Sequence, residues 1–153
     1  MTPDQIALVE ATLHEVRPRL DEVAADFYER LVAADPDIAA LFTGDPALQR
    51  SKFTTELDTI CRAIRDHTAF LAEVRRLGRL HEDLGVRSRH YALAGPALLA
   101  ALSGALGAAW TPDVAQAWRL AHHLTAETMM TGAGGKPTTA GGWPRGSGPT
   151  VQS

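Results

Sequence analysis

Little in this chain favours a covalently stapled fold. One residue of 153, Cys61, is cysteine, which excludes an intrachain disulfide and a multi-cysteine zinc site and suits a reducing compartment. No apolar run approaches the roughly 20 residues of a membrane span. The N-terminus carries Asp4 and Glu10 rather than the basic-then-apolar layout of a signal peptide, so the expected location is the cytoplasm. Neither charge sign dominates. With 15 basic and 18 acidic residues the net charge is -3, which gives no general attraction to nucleic acid or anionic lipid. The β-branched residues are sparse and never alternate over a strand length. There is no internal repeat, no glycine-rich phosphate loop and no Ser/His/Asp spacing of a hydrolase. What remains is a chain with 45% hydrophobic and 22% charged residues, enough to bury one globular core.

That core is predicted to be all helical. Thr2-Pro3-Asp4-Gln5 is a helix start: Thr2 caps, proline fits the first helical position and Gln5 completes a capping box. Ile6, Val9, Leu13, Val16, Leu20, Val23, Phe27 and Leu31 then recur every three or four residues as one apolar stripe. Pro18 lies inside the stripe and predicts a break between a first and a second helix. The second helix ends near Asp35-Pro36, and a short helical turn through Ile38 and Leu41-Phe42 follows. A third begins near Pro46 with Gln49, Phe53, Leu57, Ile60 and Ile64 on its inward face. A fourth carries Phe70, Val74, Leu77, Leu80, His81 and Leu84 and stops at Gly85. Ser88 is the expected cap of a fifth, which ends near Gly107. Thr111-Pro112-Asp113 opens the last, with Val114, Trp118, Ala121, Leu124 and Thr128 on one face. Six or seven helices make an all-α domain over residues 1–130. From Thr131 onward, Gly, Pro, Ser and Thr dominate, and residues 131–153 are expected to form a disordered tail.

His81 is the most informative position. Leu77, Leu80, His81 and Leu84 stand at i, i+3, i+4 and i+7, placing an imidazole in an apolar stripe. Such a histidine is either a satisfied core residue or a neutral ligand for haem iron. His122 and His123 point about 100° apart on a helix and form no two-histidine metal face; both are expected at the surface, as are His14, His67 and His90. Cys61 is expected in the core. Arg75, Arg76, Arg79, Arg87 and Arg89 cluster around the His81 helix and read as a solvated face; the alternative is that one or two of them, or Lys52, pair with haem propionates.

The stretches FYERL, DPDIAALF, LHEDLGVRSRHYALAGPALL and AAWTPDVAQAW, in this order and spacing, resemble the globin family. They are most similar to the haem domain of bacterial flavohaemoglobins and to single-domain bacterial haemoglobins. The resemblance covers residues 2–130 and implies a globin fold around a pocket for haem b. It implies that His81 binds haem iron, that Phe42 packs on the porphyrin face, and that Tyr28 and Gln49 hydrogen-bond the iron's ligand. A one-residue change of register would put Arg50 in place of Gln49. Phe53 takes a distal position usually held by leucine, and Tyr91 resembles the proximal-side tyrosine that supports the histidine. The family's glutamate late in the last helix has no counterpart: the corresponding region is Gly132-Ala133, and Glu127 falls too early. Nor does the sequence carry the flavin and NAD(P)H reductase of flavohaemoglobins.

Two functions follow. One is a haem globin that binds dioxygen and other diatomic gases, converting nitric oxide to nitrate if a separate reductase supplies the electron. The other is a haem-free or haem-sensing helical interaction module. Colour separates them, because a haem globin is red.

Overall fold

Thr2 and Gln5 close the first turn reciprocally. The Thr2 hydroxyl accepts from Gln5 N at 3.1 Å, and the Gln5 side chain accepts from Thr2 N at 2.9 Å. In the computed structural model, which describes residues 1–133, this box opens α1 (Pro3–Val16). At Pro18 the chain tightens into a 3-10 turn, Arg17–Arg19, and then enters α2 (Leu20–Ala34). The missing proline N–H produces the break without ending the apolar stripe. A second 3-10 turn, Pro36–Leu41, leads to Phe42. Asp45 caps α3 (Pro46–Ala63) by accepting from Ala47 N at 3.1 Å. Asp66 caps α4 (His67–Asp83) in the same way through Ala69 N.

Gly85 adopts φ 93°, a left-handed conformation that favours glycine, and turns the chain into α5 (Ser88–Leu106). The expected Ser88 cap is displaced by one residue. Arg87 is the cap, and its N–H donates to the His90 ring Nδ1 at 2.8 Å. Thr111 accepts from Val114 N at 3.2 Å and opens α6 (Pro112–Ala133). There is no strand among the described residues. Helix α6 runs three residues past the expected start of the tail, and the remainder of that segment, residues 134–153, lies outside those described.

Two apolar clusters hold the helices. The larger one joins Val9, Leu13 and Val16 of α1 and Val23, Phe27 and Leu31 of α2 to Leu98, Leu102 and Leu106 of α5 and Trp118 of α6. Each such side chain contributes about 1.5–3 kcal/mol on full burial. Trp118 is polar only at its indole N–H, which donates to Thr12 Oγ1 at 2.9 Å, while that hydroxyl donates to Leu8 O at 2.7 Å. The smaller cluster, Ile60, Phe70, Val74, Leu77, Tyr91, Ala126 and Met129, fixes α4 against its neighbours. There α4 and α6 nearly touch: a Cβ on Gly78 would stand 2.3 Å from Met129 O, and one on Gly132 would stand 2.8 Å from Arg75 Cα. Cys61 is buried as expected, and burial pushes its thiol up to about 12.

Three expectations change. The span Ser88–Ala109, 22 residues with a mean hydropathy of 1.7 in its best window, is long and apolar enough to cross a membrane. Its Leu98, Ala101, Leu102 and Leu106 instead sit in the core. His90 is buried, not superficial, because its ring occupies the α5 cap. His122 is half-buried against Gly95, where a Cβ would come within 2.9 Å of its ring; His123, about 100° round the helix, is exposed.

Candidate functional site

The second helix, the turn after it and α3 place four aromatic rings together. Tyr28 meets Phe42 edge-on at 4.9 Å between ring centroids, Phe53 packs edge-on at 5.8 Å from Tyr28, and Phe53 stacks on Phe27 at 4.7 Å. Gln49, at the start of α3, donates from Nε2 to Tyr28 Oη at 3.1 Å. Gln49 faces Tyr28, while Arg50 Nε bonds Asp21 Oδ1 at 3.1 Å. Because Gln49 fills one acceptor position of the phenol oxygen, the Tyr28 O–H is left to donate elsewhere. Burial raises the Tyr28 pKa, and the Gln49 bond only partly offsets it. The group is therefore a neutral donor at physiological pH. A cavity of about 250 Å³ adjoins this cluster, lined by Tyr28, Phe42 and Gln49 together with Ala25, Val32 and Pro46.

A second group forms on α4 and α5. The His81 Nδ1 lies 2.9 Å from Leu77 O. That carbonyl accepts only, so the Nδ1 carries the proton and the Nε2 lone pair is free. Burial lowers the His81 pKa, with the Leu77 bond opposing it, which keeps the imidazole neutral. Tyr91 stacks near it, with ring centroids 6.2 Å apart. The Tyr91 hydroxyl is buried, pushed up to about 12, and has no hydrogen-bond partner among the described residues.

The stripe around His81 is not buried as expected. Leu77 is, but Leu80 and Leu84 are 44% and 63% exposed. Among the described residues nothing buries these two leucines. The turn after α4 meets the turn before α3: a Cβ on Gly85 would lie 3.4 Å from the side chain of Leu41, the residue before Phe42. A neutral imidazole with a free nitrogen, bare leucines on either side of it and an aromatic wall form a set that fits an apolar, iron-bearing plate such as haem.

Of the basic side chains near His81, Arg76 is bound to Glu73, and Arg89 lies 4.0 Å from Asp35. Arg75, Arg79 and Arg87 are exposed, as is Lys52. Sequence reading missed Glu56, a half-buried carboxyl on α3. The run Thr54-Thr55-Glu56 reads as polar surface, and only its seven-residue spacing from Gln49 signals the shared face.

Residues 25–129 match the Globin family. The chain belongs to the globin family. It is 29% identical over 133 residues to the flavohemoprotein of Bordetella pertussis, covering 85% of this chain and 33% of that protein. It is 31% identical over 135 residues to the flavohemoprotein of Deinococcus radiodurans, covering 85% of this chain and 33% of that one. This globin thus spans about a third of the length of the curated relatives it matches. Its fold is similar to the crystal structure, at pH 4, of a hexacoordinated heme protein from an anhydrobiotic tardigrade. The TM-score is 0.79 at 17% identity, over 87% of this chain and 95% of that one. The globin is a haem protein, and haem is its cofactor.

Proposed function

We propose that this globin binds dioxygen reversibly at haem b held by His81. The observation that carries the reading is the pairing of a carbonyl-fixed, neutral His81 with a Tyr28 hydroxyl whose oxygen already accepts from Gln49. When bound, haem supplies an iron centre for diatomic gases and one-electron chemistry. The protein supplies the rest. Leu77 O holds the His81 proton at Nδ1; Leu80 and Leu84 would lie against the apolar plate, and Phe42 and Phe53 would exclude water from it. Tyr28 Oη would donate to a diatomic ligand held there, and Gln49 orients the phenol. A hydrogen bond to a partly charged acceptor contributes about 1.5–3 kcal/mol.

The Tyr91 hydroxyl has no hydrogen-bond partner among the described residues, and Glu82 acts on it only through its charge, which favours binding over turnover because no hydrogen-bonded carboxylate among those residues makes the imidazole more basic. Conversion of nitric oxide to nitrate would draw its electron from a separate reductase. We place the protein in the cytoplasm. The test is a visible spectrum of the purified protein after haem addition, followed by oxygen and carbon monoxide binding to the reduced form. A Soret band with reversible oxygen spectra is expected. A colourless protein favours the interaction module, and a haem protein that oxidises without an oxygenated spectrum refutes oxygen binding.

A further inference from the structure

Only Leu84, Gly85, Val86 and Arg87 separate α4 from α5, so their backbone sets how His81 on one helix meets Tyr91 on the other. The first three N–H groups are held by α4. Leu84 N donates to Leu80 O at 3.2 Å and to His81 O at 3.1 Å, Gly85 N to Glu82 O at 3.0 Å, and Val86 N to His81 O at 3.0 Å. The carbonyl of His81 itself is therefore an anchor of this junction. Arg87 N donates instead to a side chain, the His90 ring Nδ1, at 2.8 Å. His90 N and Tyr91 N then both donate to Arg87 O, at 2.9 and 3.3 Å. His90 thus fills the place that Glu or Gln takes in a capping box, reaching back from the third helical position to the cap N–H.

Unlike Glu or Gln, this acceptor titrates near neutral pH. In the neutral ring the Nδ1 lone pair accepts and the proton sits on Nε2, the opposite tautomer to His81. In an imidazolium both nitrogens donate, so N–H would face N–H and the cap would open. The ring is buried and stands in the first turn of α5, where the helix dipole disfavours a cation. The charged groups acting on it are Arg87 and Arg89 at the start of its own helix and Asp35 at the end of α2. Asp35 is shared with Arg89, 4.0 Å away. Burial lowers the His90 pKa, both arginines add to this, and Asp35 opposes it.

We propose that His90 is a positioning residue for the haem ligand: its neutral ring closes the α4–α5 junction that holds His81 beside Tyr91, and a proton on Nδ1 opens it. The proposal rests on the haem-pocket reading above. The proton comes from solvent water and forms an N–H bond with the lone pair that Arg87 N was using. His90 touches neither iron nor gas; it acts through the backbone between His81 and Tyr91.

The test uses the full chain and two variants. Nitrogen-15 NMR of the imidazole rings should show His90 neutral at neutral pH, protonated on Nε2, with a midpoint below the ordinary histidine value of 6.5. On the haem-loaded protein, haem transfer to an apoglobin acceptor should accelerate about 3- to 30-fold as pH falls through that midpoint. His90→Gln keeps an acceptor that does not titrate, so it should hold haem as the wild type does at neutral pH and lack this step. His90→Ala should release haem at the faster rate on both sides of the midpoint. An acid step of equal size in the wild type and His90→Gln overturns the proposal. So does a His90 ring that carries its proton on Nδ1 at neutral pH, or His90→Ala releasing haem no faster than the wild type. Each of these leaves the pocket reading intact. A wild type that takes up no haem overturns the pocket reading, and the positioning role falls with it.

Discussion

Replacing Gly78 with alanine tests how His81 is positioned. Gly78 stands one turn before His81 on α4, at the closest approach to α6. An added Cβ would lie 2.3 Å from Met129 O and 2.8 Å from Met129 Cα, where real contacts stay beyond 3.0 Å. The clash is with backbone, so no side-chain rotation relieves it. The helices must part by about 0.7 Å, the difference between 3.0 and 2.3 Å. Overpacking of this kind costs about 1–3 kcal/mol. At about 3–5 °C per kcal/mol for a domain of this size, the thermal midpoint should fall by roughly 3–15 °C. Because α4 carries His81, haem should also dissociate faster, while Tyr28 and Gln49, on α2 and α3, keep their bond. The assays are thermal unfolding by circular dichroism and haem transfer to an apoglobin acceptor. An unchanged midpoint would refute the close approach. A lowered midpoint with unchanged haem loss would show that α4 does not carry the strain to His81.

Other outcomes follow from single contacts. Tyr28→Phe keeps the aromatic cluster and removes the donor, so oxygen should dissociate about 10- to 100-fold faster while carbon monoxide release changes less. Gln49→Leu should act in the same direction more weakly, and less than additively with Tyr28→Phe because the two side chains are bonded; stopped-flow dissociation would read both. Thr12→Val leaves the buried Trp118 indole N–H without its acceptor and should cost about 1–3 kcal/mol in denaturant unfolding, with an unchanged Soret band. Glu56 adds a pH term to stability. A carboxyl whose folded pKa is raised contributes stability that is complete below its unfolded pKa and lost as pH rises through the folded value. The midpoint of Glu56→Gln should therefore gain on the wild type as pH rises from the ordinary glutamate range through the raised folded value.

The helix ends were legible because caps and breakers act over three or four residues. The Thr2–Gln5 box, the Pro18 break, the Gly85 stop and the Thr111 cap all stand where local chemistry puts them. The positions that departed depend on what lies opposite in space. His90 sits among Arg87, Ser88 and Arg89 and reads as surface, yet its ring turns inward to accept from Arg87 N. His122 is sheltered because the facing residue is Gly95. Leu80 and Leu84 keep a helical apolar period but emerge into solvent, since periodicity marks a face and not its partner. The Gln49 register needed the Tyr28 hydroxyl across 21 positions of sequence. Glu56 was invisible for the same reason: its unpaired oxygen is a property of the folded neighbourhood alone.

The account turns on His81 as the haem ligand, and one spectroscopic titration addresses it. Haem is added to the wild type and to His81→Gly, with and without imidazole, and the Soret band is followed. The wild type should saturate at one haem per chain, and the variant should bind poorly until imidazole is added, then recover a histidine-ligated spectrum. A variant that takes up haem with the wild-type spectrum and no imidazole would contradict the assignment.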